Sequence, residues 1–196
     1  MKLYYAPGAC SLADHIALHE AGLSFEHEAV DLPAKKTASG ADFTAIAPKG
    51  YVPALMLDGG EVLSENIAIL DWVGAQAPQL TVPGPMGRTH LLEALAYIST
   101  EVHKGFKPFL GGGSDEEKAK AGAAITKRLG YLADTMKGDY LFGSDLTVAD
   151  CYLFVMLLWA GKFGVEVPGS LDAYRDRVMA RAAVVKAMTH EGLLSA

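Results

Sequence analysis

The chain is poor in cysteine. Only Cys10 and Cys151 among its 196 residues carry a thiol, so no disulfide framework can hold it together and a packed core must. It also lacks a long apolar run. The nearest approach, CYLFVMLLWAG at 151–161, falls short of the roughly 18 residues that cross a bilayer and reads as a buried core helix. The opening MKLYYAPGAC has one lysine and no apolar stretch behind it, which predicts no signal peptide. These absences lead to the expectation of a cytoplasmic protein, where a reducing environment argues against pairing Cys10 with Cys151. A basic stripe is missing as well. Scattered basic residues, 17 against 23 acidic ones for a net charge of -6, argue against nucleic acid as a partner. Among six histidines only His15 and His19 stand at helical ligand spacing; no third ligand lies near them in sequence, so no metal is expected. No Ser-His-Asp arrangement, Gly-rich phosphate loop, internal repeat or low-complexity segment stands out.

What is present is ordinary globular composition, 51% hydrophobic and 20% charged, in a chain long enough for one domain or two small ones. The first part mixes strand and helix signals. KLYY (2–5), SFEHEAV (24–30), ALML (54–57) and EVL (61–63) read as strands, the last two joined by a DGG turn. Between the first two lies a helix whose apolar stripe runs through Leu12, Ile16 and Leu23, with Ser11 and Asp14 as its expected capping pair and Gly22 as its stop. A second helix is predicted from about Glu65 to Gln76. The order is β-α-β, a polar connector from Asp31 to Lys49 with at most a short helix, then β-β-α.

APQLTVPGPMG (77–87) ends that pattern and reads as a linker. Beyond it the periodicity is helical throughout. One long amphipathic segment is expected over 88–110, and SDEEKAK (114–120) opens another helix running to about Lys137. LTVAD (146–150) places Thr147 to cap a central apolar helix and Asp150 at the reciprocal position. Two shorter helices follow near 171–181 and 183–190.

Four places could carry chemistry. Cys10 follows a strand and a PGA turn and precedes a helix. The N–H groups of a first helical turn favour a thiolate and would lower its pKa below about 8.5, or would hold a ligand's thiolate instead. A buried, inert cysteine fits the position equally, and Asp14 would oppose a second negative charge. Val52–Pro53 stands directly before a strand; a cis bond there would turn the Val52 backbone toward an extended peptide ligand, whereas a trans bond would make it a plain strand start. Ser64 and Glu65 open a helix, either as cap and dipole complement or, for Glu65, as partner to a ligand ammonium. His103 and Lys104 are adjacent on the long helix and point about 100° apart, as solvated surface or as neighbours of Cys10.

Taken in order, KLYYAPGACSL, KGYVPAL, SENIAIL, EVHKGF and LTVADCYLF resemble the cytosolic glutathione transferases, and within them the bacterial beta class, over nearly the whole chain. The resemblance implies an α/β thioredoxin-like N-terminal domain (1–78), a linker (79–87) and an all-α domain (88–196) that carries the acceptor-substrate pocket, assembled as a homodimer. It implies glutathione as co-substrate, in a cleft between the domains, and no metal. By position, Cys10 faces the glutathione sulfur with help from Ser11 and His103. Val52 offers its backbone, with Pro53 cis. Glu65 and Asn66 take the γ-glutamyl end, Lys35 lies near the glycine carboxylate, and Lys104 borders the site. Asn66 replaces the serine common in the superfamily, and Ala96 stands where some relatives carry an asparagine that reaches across the dimer. Tyr5, near the place of the catalytic tyrosine of other classes, is expected to be packing. Phe106, Phe109, Leu110 and Trp159 are candidates for the acceptor pocket, Trp159 more as core.

The function expected on this resemblance is conjugation of the glutathione thiol to small, largely apolar electrophiles. Two alternatives remain at this level: a glutathione-dependent thiol–disulfide oxidoreductase or peroxidase acting through a Cys10 mixed disulfide, and a non-catalytic protein that binds apolar ligands.

Overall fold

A computed structural model describes residues 1–195. Its contacts separate into two compact units, Met1–Pro78 together with the segment from Ala180 onward, and Gln79–Met179.

The first unit is built on a five-stranded sheet. Its strands are β1 (Lys2–Tyr5), β2 (Glu26–Asp31), β3 (Lys36–Thr37), β4 (Ala54–Met56) and β5 (Val62–Ser64), in the order β3-β2-β1-β4-β5. β1 runs parallel to β2 and antiparallel to β4; the β2–β3 and β4–β5 pairs are antiparallel. A parallel pair needs a crossover, and α1 (Leu12–Glu20) supplies it. The polar connector holds the short β3 and one helical turn, α2 (Phe43–Ile46), before β4 and β5 lead into α3 (Asn66–Gln76).

Two apolar layers sandwich this sheet. On one side Tyr4, Val30, Phe43, Val52 and Ala54 form a buried cluster. On the other, α1 buries Leu12, Ile16 and Leu18 completely, each contributing about 1.5–3 kcal/mol by leaving water. α1 packs against α3 and against α9 (Ala182–His190). The expected span 88–196 keeps α9 with the helical half; by packing, this last helix belongs to the first unit instead. Its apolar residues Val184, Ala187 and Met188 are buried, and Arg181 just before it holds Glu20 of α1 at 2.5 and 2.8 Å.

The second unit is helical: α4 (Gly87–Tyr97), α5 (Lys107–Leu110), α6 (Asp115–Thr135), α7 (Val148–Phe163) and α8 (Ser170–Met179). α7 is buried all round from Val148 to Leu157, as its uninterrupted apolar sequence requires. Asp150 accepts the Thr147 N–H at 2.8 Å, the Leu141 N–H at 2.9 Å and the Tyr174 hydroxyl at 3.0 Å, so the expected cap also pins a loop and α8. Gly164 ends α7 in the left-handed conformation, φ 68°.

The single helix expected over 88–110 is broken. After α4 the chain makes a π-helical turn (Ile98–Val102) and a 3-10 turn (His103–Phe106) before α5. Pro108 has no N–H to continue the ladder. Gly105 is there because a Cβ would lie 2.8 Å from Ile125 on α6. A π-turn rotates the side chains that follow it, and such turns gather at functional sites; here it sets the direction of His103.

Candidate functional site

The turn between β1 and α1 is tight. Ala9 donates its N–H to the Ala6 carbonyl at 3.0 Å, Leu12 to Ala9 at 3.1 Å and Ala13 to Cys10 at 3.1 Å. These bonds occupy donors that would otherwise open the helix end. The N–H groups of Cys10 and Ser11 remain directed at the Cys10 sulfur.

Ser11 and Asp14 do not form the expected capping pair. Ser11 is already helical, φ -59° and ψ -17°, and its side chain makes no cap bond. Its hydroxyl accepts the Ala6 N–H at 3.2 Å instead. Asp14, fully buried, accepts from the Asn66 amide at 2.8 Å, and its second oxygen has no partner among the described residues. Burial raises the Asp14 carboxyl well above the usual carboxylate range.

Cys10 itself is half-buried, and its thiol donates to the Val52 carbonyl at 3.7 Å. Burial first, and then the Asp14 carboxyl, push its pKa up to about 12; the two backbone N–H groups pull the other way and do not offset this. Of the two readings the sequence leaves open, the lowered pKa is not the one this environment favours. A helix terminus stabilises an anion only where that anion keeps enough solvation or enough donors, and here removal from water dominates.

Val52–Pro53 is cis, the arrangement in which the Val52 backbone can face a ligand. The loop ahead of it is held from three directions. Lys35, at φ 55°, donates its ammonium to the Gly50 carbonyl at 2.6 Å. Glu65 takes Lys49 Nζ at 2.6 Å and the Tyr51 hydroxyl at 2.5 Å. Cys10 takes Val52. Glu65 sits at the N-cap of α3 with φ 77° and ψ 122°. A residue with a Cβ occupies that region at a cost of order 1–3 kcal/mol, and such strain gathers where a side chain must be aimed. The carboxylate is aimed outward, 53% exposed.

Asn66 departs from expectation. It is buried and gives one amide proton to the Cys10 carbonyl at 2.9 Å and the other to Asp14. Its amide nitrogen ties α3 to the Cys10 turn, so neither of its amide protons is left for a ligand. Tyr5 is packing: 6% exposed, with its hydroxyl donated to the His190 carbonyl at 3.3 Å. Lys49 and Tyr51, flanking Gly50 in KGYVPAL, join the site through Glu65 and carry no motif of their own. The available signal was a tyrosine beside the loop glycine, and it is 43% exposed.

In the second unit, His103 is half-buried and its Nδ1 is 2.6 Å from the Tyr152 hydroxyl. Its ring meets Trp159 edge-on at 5.0 Å. Burial, and then Lys104, lower its pKa to about 4, so it is neutral at physiological pH and offers a hydrogen bond, not a charge. Lys104 is exposed. Phe106 is fully buried and meets Trp159 edge-on at 5.5 Å and Phe109 and Phe163 in tilted contacts at 6.0 Å. Trp159 is core at 7% exposure, while Leu110 is 58% exposed.

Two family domains match: the glutathione S-transferase N-terminal domain over residues 9–76 and the C-terminal domain over residues 94–182. The chain is 40% identical to the glutathione S-transferase GstA of Escherichia coli O157:H7, covering 98% of this chain and 100% of that one. The solved ternary complex of BphK, a bacterial transferase, is 47% identical, covers 98% of this chain and 100% of its own, and superposes with a TM-score of 0.93. Two sphingomonad transferases are each 42% identical and cover 99% of this chain and 100% of theirs. One is described as bacterial beta class, with a TM-score of 0.89; the other was solved with glutathione, with a TM-score of 0.91. With both of its halves matched and full-length relatives at this identity, the chain belongs to the glutathione S-transferase family.

Proposed function

We propose that the protein is a beta-type glutathione transferase, which conjugates the thiol of glutathione to small, largely apolar electrophiles. The observation that carries this reading is the convergence of the Cys10 thiol, the Val52 backbone beside cis-Pro53, and the outward Glu65 carboxylate on one corner of the first unit. Glutathione has a matching group for each. Its peptide backbone pairs with Val52 as an added strand would. Its ammonium replaces Lys49 at Glu65; that exchange is cheap, because an exposed ion pair is worth about 0–1 kcal/mol. Its γ-glutamyl carboxylate meets the N–H groups that open α3, an eleven-residue helix. Lys35 serves the glycine carboxylate.

Cys10 acts here as a donor. A thiol with a pKa of about 12 keeps its proton, and that proton moves from the Val52 carbonyl to the glutathione sulfur. Together with the N–H groups of Cys10 and Ser11, it stabilises the glutathione thiolate, the form that attacks carbon. The same high pKa disfavours the mixed-disulfide alternative, which needs Cys10 as the attacking thiolate.

The test is turnover of glutathione with 1-chloro-2,4-dinitrobenzene, run beside reduction of a glutathione mixed disulfide. Conjugation is expected, with the reduction rate minor. Cys10→Ala should slow conjugation without abolishing it. Failure to bind immobilised glutathione sinks the reading. The protein is further proposed to assemble as a homodimer, which sedimentation will show at twice the chain mass of 20.7 kDa.

A further inference from the structure

Four of the six histidines gather in one place in the first unit, on the face of the sheet that α1 and α9 cover. His15 and His19 come from α1, His27 from β2 and His190 from the end of α9. The His27 and His190 rings stack at 4.5 Å; His15 lies 5.1 Å from the first and 5.6 Å from the second. None of these residues serves the reading given above.

We propose that His15, His27 and His190 form a binding site for a borderline first-row divalent cation, of which Zn²⁺ is the type. One ring nitrogen of each lies within 4.8 Å of the others. A tetrahedral set with bonds of about 2.0–2.1 Å needs donors about 3.3 Å apart, so ring rotations of roughly an ångström close it. His15 is the anchor. It is fully buried, its Nδ1 is engaged by Glu191 Oε1 at 2.9 Å, and its Nε2 has no partner among the described residues. A carboxylate on one imidazole nitrogen is the support that orients the other toward a metal. With the shared proton on Nδ1, Nε2 presents a lone pair. Glu191 is itself fixed, its second oxygen accepting the Gly8 N–H at 2.9 Å. The His19 Nε2 is a second buried nitrogen without a partner beside the cluster. His19 also borders an open surface pocket of about 430 Å³, with Glu20, Arg181 and Lys186, which gives a path from solvent. Lys186 is the charge that opposes a cation here, and its flexible stem can swing into that pocket. Three imidazoles leave a fourth position for water. The site would clamp α9 to α1 and β2.

The experiment is zinc uptake by the full chain after chelator treatment. ZnCl₂ is added, bound metal is counted after dialysis, and melting is followed. The expected result is one equivalent per chain, and a Tm rise of about 5–10 °C at a hundredfold excess over Kd. His27→Ala and His190→Ala replace partly exposed rings and should each weaken uptake at least tenfold. His90→Ala, outside the cluster, should not. Cobalt substitution should give the visible bands of a four-coordinate site of three nitrogens and a water, absent in His190→Ala. No uptake, or uptake lost in Cys10→Ala but kept in His27→Ala, overturns the proposal.

Discussion

Cys10 offers the sharpest test, because position and environment make opposite predictions for it. Its pKa is pushed from 9.0 to about 12. Three pKa units lower the thiolate fraction at neutral pH about 1000-fold relative to an unperturbed thiol. A more basic thiolate is also a better nucleophile, and a Brønsted slope of about 0.4–0.5 restores roughly 15–30-fold. Thiol–disulfide exchange at Cys10 should therefore run about 30–60-fold slower than at a free model thiol, before any loss to shielding. The assay is exchange with 4,4′-dithiodipyridine, followed by absorbance, against N-acetyl-cysteinamide, with Cys10→Ser as the blank. Cys151 does not interfere, being fully buried in α7. Shielding lowers the rate at every pH alike, so the profile separates it from the pKa: log rate should climb with unit slope through pH 10. An inflection below pH 8.5, or exchange at pH 7 as fast as the model thiol, would refute the reasoning.

Asp150→Ala leaves the Leu141 N–H, the Thr147 N–H and the Tyr174 hydroxyl without their buried acceptor, and should destabilise the fold by about 3–5 kcal/mol in urea titration. Glu65→Gly relieves the positive φ and should stabilise the chain by up to about 1 kcal/mol, while glutathione binding measured by calorimetry weakens at least tenfold. His103 has a folded pKa lowered from 6.5 to about 4, so the unfolded chain takes up its proton first. Stability is lost as pH falls below 6.5, by about 2 kcal/mol at pH 5. His103→Gln should remove that part of the acid sensitivity in paired denaturation curves at pH 7.5 and pH 5, and an unchanged pH dependence counts against the assignment.

The local code of the first unit was legible because its punctuation is strong. KLYY is a short β-prone run that forms a buried strand, Gly22 stops α1 at positive φ, and the DGG turn separates β4 from β5. The order of Cys10, Val52–Pro53 and Glu65 marked the binding corner for the same reason: each sits at an element end where few residues fit. What the sequence hid was which partner each polar group would choose. Ser11 looks like a cap, but the tight turn before it had already placed its backbone in the helix. Asn66 looks like a ligand contact, but the buried Asp14 carboxyl 52 positions earlier takes it. The state of the Cys10 thiol is not legible in the sequence, because helix position is a local property and burial is a long-range one. The break at 98–106 follows from Gly105 and Pro108 only once α6 is known to press on that turn. The histidine cluster joins residues 15, 27 and 190, a separation no periodicity reveals.

The return of α9 to the first unit has a consequence for how the molecule is made. The bonds that close the Cys10 turn from behind, Glu191 to Gly8 and to His15, span 183 and 176 positions. A ribosome adding about 5–20 residues per second completes Pro78 some 5–20 s before it reaches Glu191. During that interval the sheet and α1 exist without the helix that covers them, and the apolar face of α1 is open to any other chain or chaperone. The binding corner is thus encoded early and finished last, so truncation of the final 16 or so residues should be felt first at the turn that carries Cys10.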